Sequence, residues 1–174
     1  AVRLQLRLFR DSQPLGPAAV RSLELAPRST LLLPAPDLFE GFLDLSYAFR
    51  FGPPSYDLLH VCLEQEDDAR VAAEARVPAE AFYFPLGLPR QVEADVGLSA
   101  TLQGQVLTVS ARRFAQSVHI EVPPGSVIED QYFHLAPGAN RDIGLRLPAR
   151  QAERQPAIRV SALNSAAGCR AVPG

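Results

Sequence analysis

Apolar residues recur at every second position through most of this chain, a period that fits strands with one buried face and not helices. Val2, Leu4, Leu6 and Leu8 share one side, while Arg3, Gln5 and Arg7 take the other. The alternation returns over residues 42–51, with Leu43, Leu45, Tyr47, Phe49 and Phe51 on one face, and again in Leu59, Val61 and Leu63. Val71, Ala73, Ala75 and Val77 predict another strand, and Phe82-Tyr83-Phe84 is a short aromatic run. Leu23-Glu24-Leu25 and Leu31-Leu32-Leu33 are shorter apolar pieces read as strands. Asp37 is expected to cap a short helical turn reaching Phe42. Further on, Leu107, Val109 and Ala111 form one face, as do Val118, Ile120 and Val122. Phe133 and Leu135 are predicted to point inward, with Ile143, Leu145 and Leu147 returning antiparallel. Ile158, Val160 and Ala162 make the last expected strand. No segment sustains a 3.6-residue period.

Turn signals separate these runs. The 16 Pro and 11 Gly are spread along the chain, as at Gly52-Pro53-Pro54-Ser55 and Pro123-Pro124-Gly125-Ser126. Short strands with turns every ~8–12 residues predict an all-β sandwich or barrel. Leu86-Gly87-Leu88-Pro89-Arg90 reads as a linker, which divides the chain into residues 1–86 and 91–174. Each half is near the ~100 residues of an immunoglobulin-like sandwich, so the expected fold is two such antiparallel sandwiches in tandem. The first half opens directly inside a strand, which predicts that a preceding strand is missing. Residues 2–9 would then be an unpaired edge, and bare edges pair between chains, giving a homodimer.

Composition narrows the function. The 174 residues contain no Met, so Ala1 is expected to be the start of a processed or excised piece. The length excludes a TIM barrel of ~250 residues within this chain. All 17 basic residues are Arg, against 19 acidic ones, for a net charge of -2. That balance gives no footprint for nucleic acid or an acidic membrane surface. Arg without Lys is read as the mark of a GC-rich genome. No apolar run approaches the ~18 residues of a membrane span, and the compartment is left open. Cys62 and Cys169 share no metal-ligand spacing and are expected to be free thiols.

The second half carries a recognisable segment. Arg112-Arg113-Phe114-Ala115-Gln116-Ser117-Val118-His119-Ile120 leads to Asp130-Gln131-Tyr132-Phe133-His134-Leu135-Ala136-Pro137-Gly138. This resembles the C-terminal immunoglobulin-like domain of β-mannosidases of glycoside hydrolase family 2, with Gln131 where Asn is usual. The departure is expected to affect one polar contact. Ala48-Phe49-Arg50-Phe51-Gly52-Pro53-Pro54 and Phe82-Tyr83-Phe84-Pro85 resemble the immunoglobulin-like domain that precedes it in those enzymes. The motif residues Asp130, Tyr132, Phe133, Leu135, Pro137 and Gly138 are structural by this resemblance. Phe133 and Leu135 are core residues, Asp130 caps a turn, and Pro137-Gly138 makes the reversal.

The resemblance implies that the catalytic residues lie elsewhere. Retaining glycosidases use two carboxylates on a rigid scaffold, which in this family are glutamates of the barrel. Glu24, Glu40, Glu64 and Glu80 are therefore read as surface groups. Glu64, Glu66, Asp67 and Asp68 lack the spacing of a Ca²⁺ loop and read as a solvated turn. His60, His119 and His134 lack zinc spacing, although His60 and Cys62 share a strand face. No Gly-x-Ser-x-Gly elbow frames a nucleophile. No catalytic, cofactor or metal residue is assigned.

Tyr47, Phe49, Phe51 and Tyr56 form an aromatic cluster with three readings. They could stack on sugar rings, cover an interface with a neighbouring catalytic domain, or fill the core. Leu43 and Leu45 continue the same face, which favours the core. The function implied by the resemblance is a non-catalytic accessory region, partnered by the catalytic barrel of a parent enzyme that hydrolyses terminal β-mannosides. An independent carbohydrate-binding sandwich is the alternative.

Overall fold

A computed structural model describes residues 1–41, 43–46, 55–65, 79–148 and 156–174. The described residues are almost all β, with one short 3-10 helix at Ala35–Leu38. They divide into two compact units, Ala1–Leu88 and Pro89–Gly174. The division falls inside the Pro/Gly-containing stretch read as a linker.

The first unit is built on one five-stranded antiparallel sheet among the described residues. Its strands are β1 (Val2–Arg10), β2 (Gln13–Pro14), β3 (Ala19–Leu23), β4 (Leu58–Gln65) and β5 (Ala79–Tyr83). Leu4, Leu6 and Leu8 of β1 lie opposite Leu63, Val61 and Leu59 of β4, so the alternation of both strands places one apolar face in register. That face is covered by Leu45 and Tyr56, with Leu38, Phe39 and Leu43 packed alongside. The β1–β2 hairpin turns through Asp11 and Ser12, both at positive φ. Their short polar side chains tolerate that region better than most, and the Asp57 carboxylate accepts the Asp11 amide at 2.6 Å.

Several expectations change here. β1 has β4 on one side and β2 and β3 on the other. Residues 2–9 are therefore an interior strand of the described sheet and not the unpaired edge expected of them. Leu31-Leu32-Leu33 forms no strand, and Leu32 is 91% exposed. An apolar triplet flanked by Pro34 lacks a partner strand and so gains nothing by extending. The third strand ends at Leu23 and does not include Leu25. Asp37 lies within the 3-10 helix instead of capping it. Pro34 occupies the cap position, with no side-chain cap bond. The predicted strand at 71–77, most of the one at 42–51, the acidic turn beyond Gln65 and Phe42 lie outside the described residues.

The second unit is a two-sheet sandwich. One sheet orders β10 (Phe133–Leu135), β8 (Ala115–Glu121), β12 (Arg159–Ser161) and β13 (Cys169–Arg170). The other orders β14 (Val172–Pro173), β6 (Leu98–Gln103), β7 (Val106–Ala111), β11 (Asn140–Arg146) and β9 (Val127–Ile128). Leu107, Val109, Val118, Ile120, Ile143, Leu145, Ile158 and Val160 are all buried to 1% exposure or less and form one core. Each such burial contributes ~1.5–3 kcal/mol.

The strand faces agree with the alternation, but two connections differ. β10 pairs with β8 while β11 pairs with β7 in the opposite sheet. The Pro137-Gly138 reversal therefore carries the chain between sheets instead of closing a hairpin. The sheets are also not wholly antiparallel. β14 runs parallel to β6, and β12 is followed by two further short strands. Asn164, 4% exposed, ties the chain after β12 to the start of β8, its neighbour in the same sheet. Its Oδ1 accepts the Gln116 amide at 2.8 Å, and its Nδ2 donates to the Phe114 carbonyl at 2.9 Å.

Candidate functional site

The 130–138 segment forms a braced corner against β8. The Asp130 carboxylate accepts the Gln131 amide at 2.8 Å and pairs with Arg141 at 2.9 Å. Gln131 makes two contacts where one was expected. Its Oε1 accepts the Ile120 amide at 2.9 Å, and its Nε2 donates to the Ile120 carbonyl at 2.6 Å. A side-chain amide thus occupies the place of a neighbouring strand. Phe133 and Leu135 are buried, as their spacing predicts, and the Arg141 guanidinium lies 4.8 Å from the Phe133 ring centroid.

Ala136, Pro137, Gly138 and Ala139 form the reversal, closed by Ala139 N–H donating to the Ala136 carbonyl at 3.0 Å. Gly138 has φ +73°, the positive value that a type II turn requires at its third position. Tyr132 is exposed and stands apart from these buried partners. It holds a positive φ of 60° and stacks on His119, with centroids 5.3 Å apart. Its amide donates to the Val118 carbonyl at 2.8 Å, which helps hold the conformation.

In the first unit, Tyr56 is 1% exposed and its hydroxyl donates to the Leu45 carbonyl. Packed among Leu6, Leu8 and Leu59, it offers no ring face to a sugar or a neighbouring domain. The core reading of Tyr56 is the one its position supports. Tyr47, Phe49 and Phe51 lie outside the described residues.

A concavity of about 540 Å³ opens beside Tyr56's segment. Leu43, Leu45 and Leu59 give it an apolar lining, together with Ala35 and Pro36 of the 3-10 helix. Asp37, Asp44, Ser46 and Tyr83 add polar groups. The Ser46 hydroxyl donates to Asp44 Oδ1 at 3.1 Å. Tyr83 is 46% exposed and lies opposite Leu59 across β4 and β5. The sequence offered a partial signal, since Tyr83 alternates out of phase with Phe82 and Phe84. Nothing in the sequence brought Asp37 and Asp44 to the same face, because a non-repetitive segment carries them.

The ionisable groups make local structural pairs. His60 Nε2 lies 2.8 Å from Glu80 Oε2, and its ring stacks on Phe82 at 4.8 Å. Glu80 is thus partly buried and paired with His60, whereas Glu24, Glu40 and Glu64 are exposed. His134 Nδ1 accepts the Ser117 amide at 3.0 Å. Among the described residues, no three His, Cys, Asp or Glu side chains are gathered as a metal site, and no helix is long and apolar enough to cross a membrane. Both cysteines are free. Burial pushes the Cys62 thiol above its usual range, helped by the negative charges of Glu64 and Glu80. Burial and then Asp95 do the same to Cys169, so neither is an activated nucleophile.

No curated protein matches the chain. A family model does match residues 90–166, spanning the core of the second unit and the whole Asp130–Gly138 corner. The family model is that of an Ig-fold domain, Ig_mannosidase, so residues 90–166 of the second unit are similar to the immunoglobulin-fold domain of mannosidases.

Proposed function

We propose that the chain is a non-catalytic accessory region of a glycoside hydrolase family 2 β-mannosidase. The parent enzyme hydrolyses terminal β-D-mannosides with retention on a catalytic barrel, which this region supports. The family match over residues 90–166 carries the reading. Its physical content agrees, because the matched segment spends its polar groups on bracing strands. Asp130 is paired to Arg141, and Gln131 is held by the Ile120 backbone.

Retention needs two carboxylates about 5–5.5 Å apart, and the reading assigns both to the barrel. The purified chain should therefore leave an aryl β-mannoside intact, and turnover by the chain alone would overturn the proposal. The coding sequence upstream of Ala1 provides the positive test. It should encode a barrel with two glutamates facing its C-terminal mouth, and an unrelated domain there would remove the reading.

A further inference from the structure

We infer that the outer face of the β10-β8-β12-β13 sheet binds a carboxylate-bearing sugar. The inference goes beyond the accessory role and does not depend on it. Strand register gathers the residues. Arg159 of β12 lies opposite Arg170 of β13 on one side and Glu121 of β8 on the other. One row along, Ser161 lies opposite His119, whose ring stacks on Tyr132. Ile120 and Val160 fill the core between these positions, so the alternation turns the set to the outer face. Glu121, Tyr132, Arg159, Ser161 and Arg170 are all exposed.

Two features of this face cost stability. Like charges directly opposite each other across a strand pair repel, as Arg159 and Arg170 do. Among the described residues, neither guanidinium forms an ion pair with a carboxylate. Tyr132 holds a φ of 60°, a region unfavourable for a bulky side chain, yet it is 64% exposed and fills no core. A bound acidic sugar offsets both. The paired guanidiniums offer forked donors to a carboxylate, and the open Tyr132 ring offers a face to pyranose C–H groups. The Ser161 hydroxyl and the His119 ring add hydrogen-bonding groups in the row between. A Cβ at Gly168 would lie 3.7 Å from the Ser161 Cβ, so the glycine leaves the floor beside Ser161 low. Glu121 at the end of the row disfavours a second negative charge, which fits a single carboxylate and not a polyanion.

The test uses the full 174-residue chain and amide NMR, with methyl β-D-glucuronide, methyl β-D-glucoside and acetate as probes. Expected are saturable shifts at residues 119–121, 132, 159–161 and 168–170 with the glucuronide. The glucoside and acetate should each bind at least about threefold more weakly. Arg170→Gln should weaken the glucuronide about three- to tenfold, while its urea midpoint stays level or rises because the like-charge pair is gone. Tyr132→Ala should weaken the glucuronide about two- to tenfold and leave acetate unchanged. Unshifted amides in the core strands would show that both variants fold. Absence of saturable shifts with the glucuronide at about 50 mM would overturn the inference. So would undiminished binding in either folded variant, or a glucoside that binds as tightly as the glucuronide. Acetate binding as tightly as the glucuronide would mark an adventitious ion only and overturn it too. These results are separate from the hydrolysis assay, so either proposal can fail alone.

Discussion

The two units use the same strand periodicity to reach different degrees of closure. In the second, two sheets enclose one core, and its outer strands β9, β10, β13 and β14 have only two or three residues each. Very short edges give another chain little to pair with. In the first, the apolar face of a single described sheet meets the 3-10 helix and irregular residues 43–46, and β3 and β5 are five residues long. The described cover of the first unit leaves the concavity beside Tyr83. Among the described residues, the same strand periodicity therefore serves one core closed by a second sheet and one covered by a 3-10 helix and non-repetitive chain.

Core truncation should produce the largest contrast. Leu145→Ala in the second unit should cost about 2–5 kcal/mol, read from urea unfolding. Leu6→Ala should fall near the low end of that range, because an irregular cover can relax into the space. Equal costs would break the comparison. Asn164→Ala comes next, at about 2–3 kcal/mol, since it leaves the Gln116 amide and the Phe114 carbonyl without their buried partner. A loss under half that would show that water replaces the side chain.

Tyr56→Phe should cost about 1 kcal/mol, with faster hydrogen exchange confined to the first unit around residues 43–46. Exchange spreading into the second unit would contradict the division into two units. Gly138→Ala should also cost about 1 kcal/mol. Open space surrounds the site of an added Cβ, so the penalty is conformational and not a clash.

The smallest effect is a pH dependence carried by one thiol in each unit. Both pKa values are raised in the folded state, so folding favours the neutral thiol. Their contribution is complete below the unfolded value of ~8.5 and is lost as pH rises through the folded values. Urea midpoints for Cys62→Ser and Cys169→Ser should therefore fall less on going from pH 7 to pH 10 than the parent's. A parallel decline would refute the linkage.

The strands of the second unit were readable because large residues marked their buried face. Val118 and Ile120 in β8, and Ile143 and Leu145 in β11, alternate without interruption. β6 also alternates through Leu98, Ala100 and Leu102, but a small central residue weakens the pattern. β13 and β14 are too short for any period to register. Leu31–Leu33 misled for the opposite reason, since an apolar run without a partner strand has no face to bury. The corner at Pro137-Gly138 was readable as a turn, but not as a crossing between sheets. Turn chemistry sets local backbone angles and not the destination of the strand that follows. Of the candidate site, the aromatic run containing Tyr83 was visible, while the approach of Asp37 and Asp44 depends on tertiary packing.

Gln131 has a wider consequence. By presenting its side-chain amide to both backbone groups of Ile120, it extends the β8 ladder without adding a residue to any strand. The length of hydrogen-bonded sheet at this corner can therefore be changed by one substitution, with no insertion or deletion. A shorter side chain, such as Asn, would have to draw the 130–132 backbone closer to reach the same two atoms. The identity at this position tunes how tightly the exposed Tyr132 is drawn against its strand.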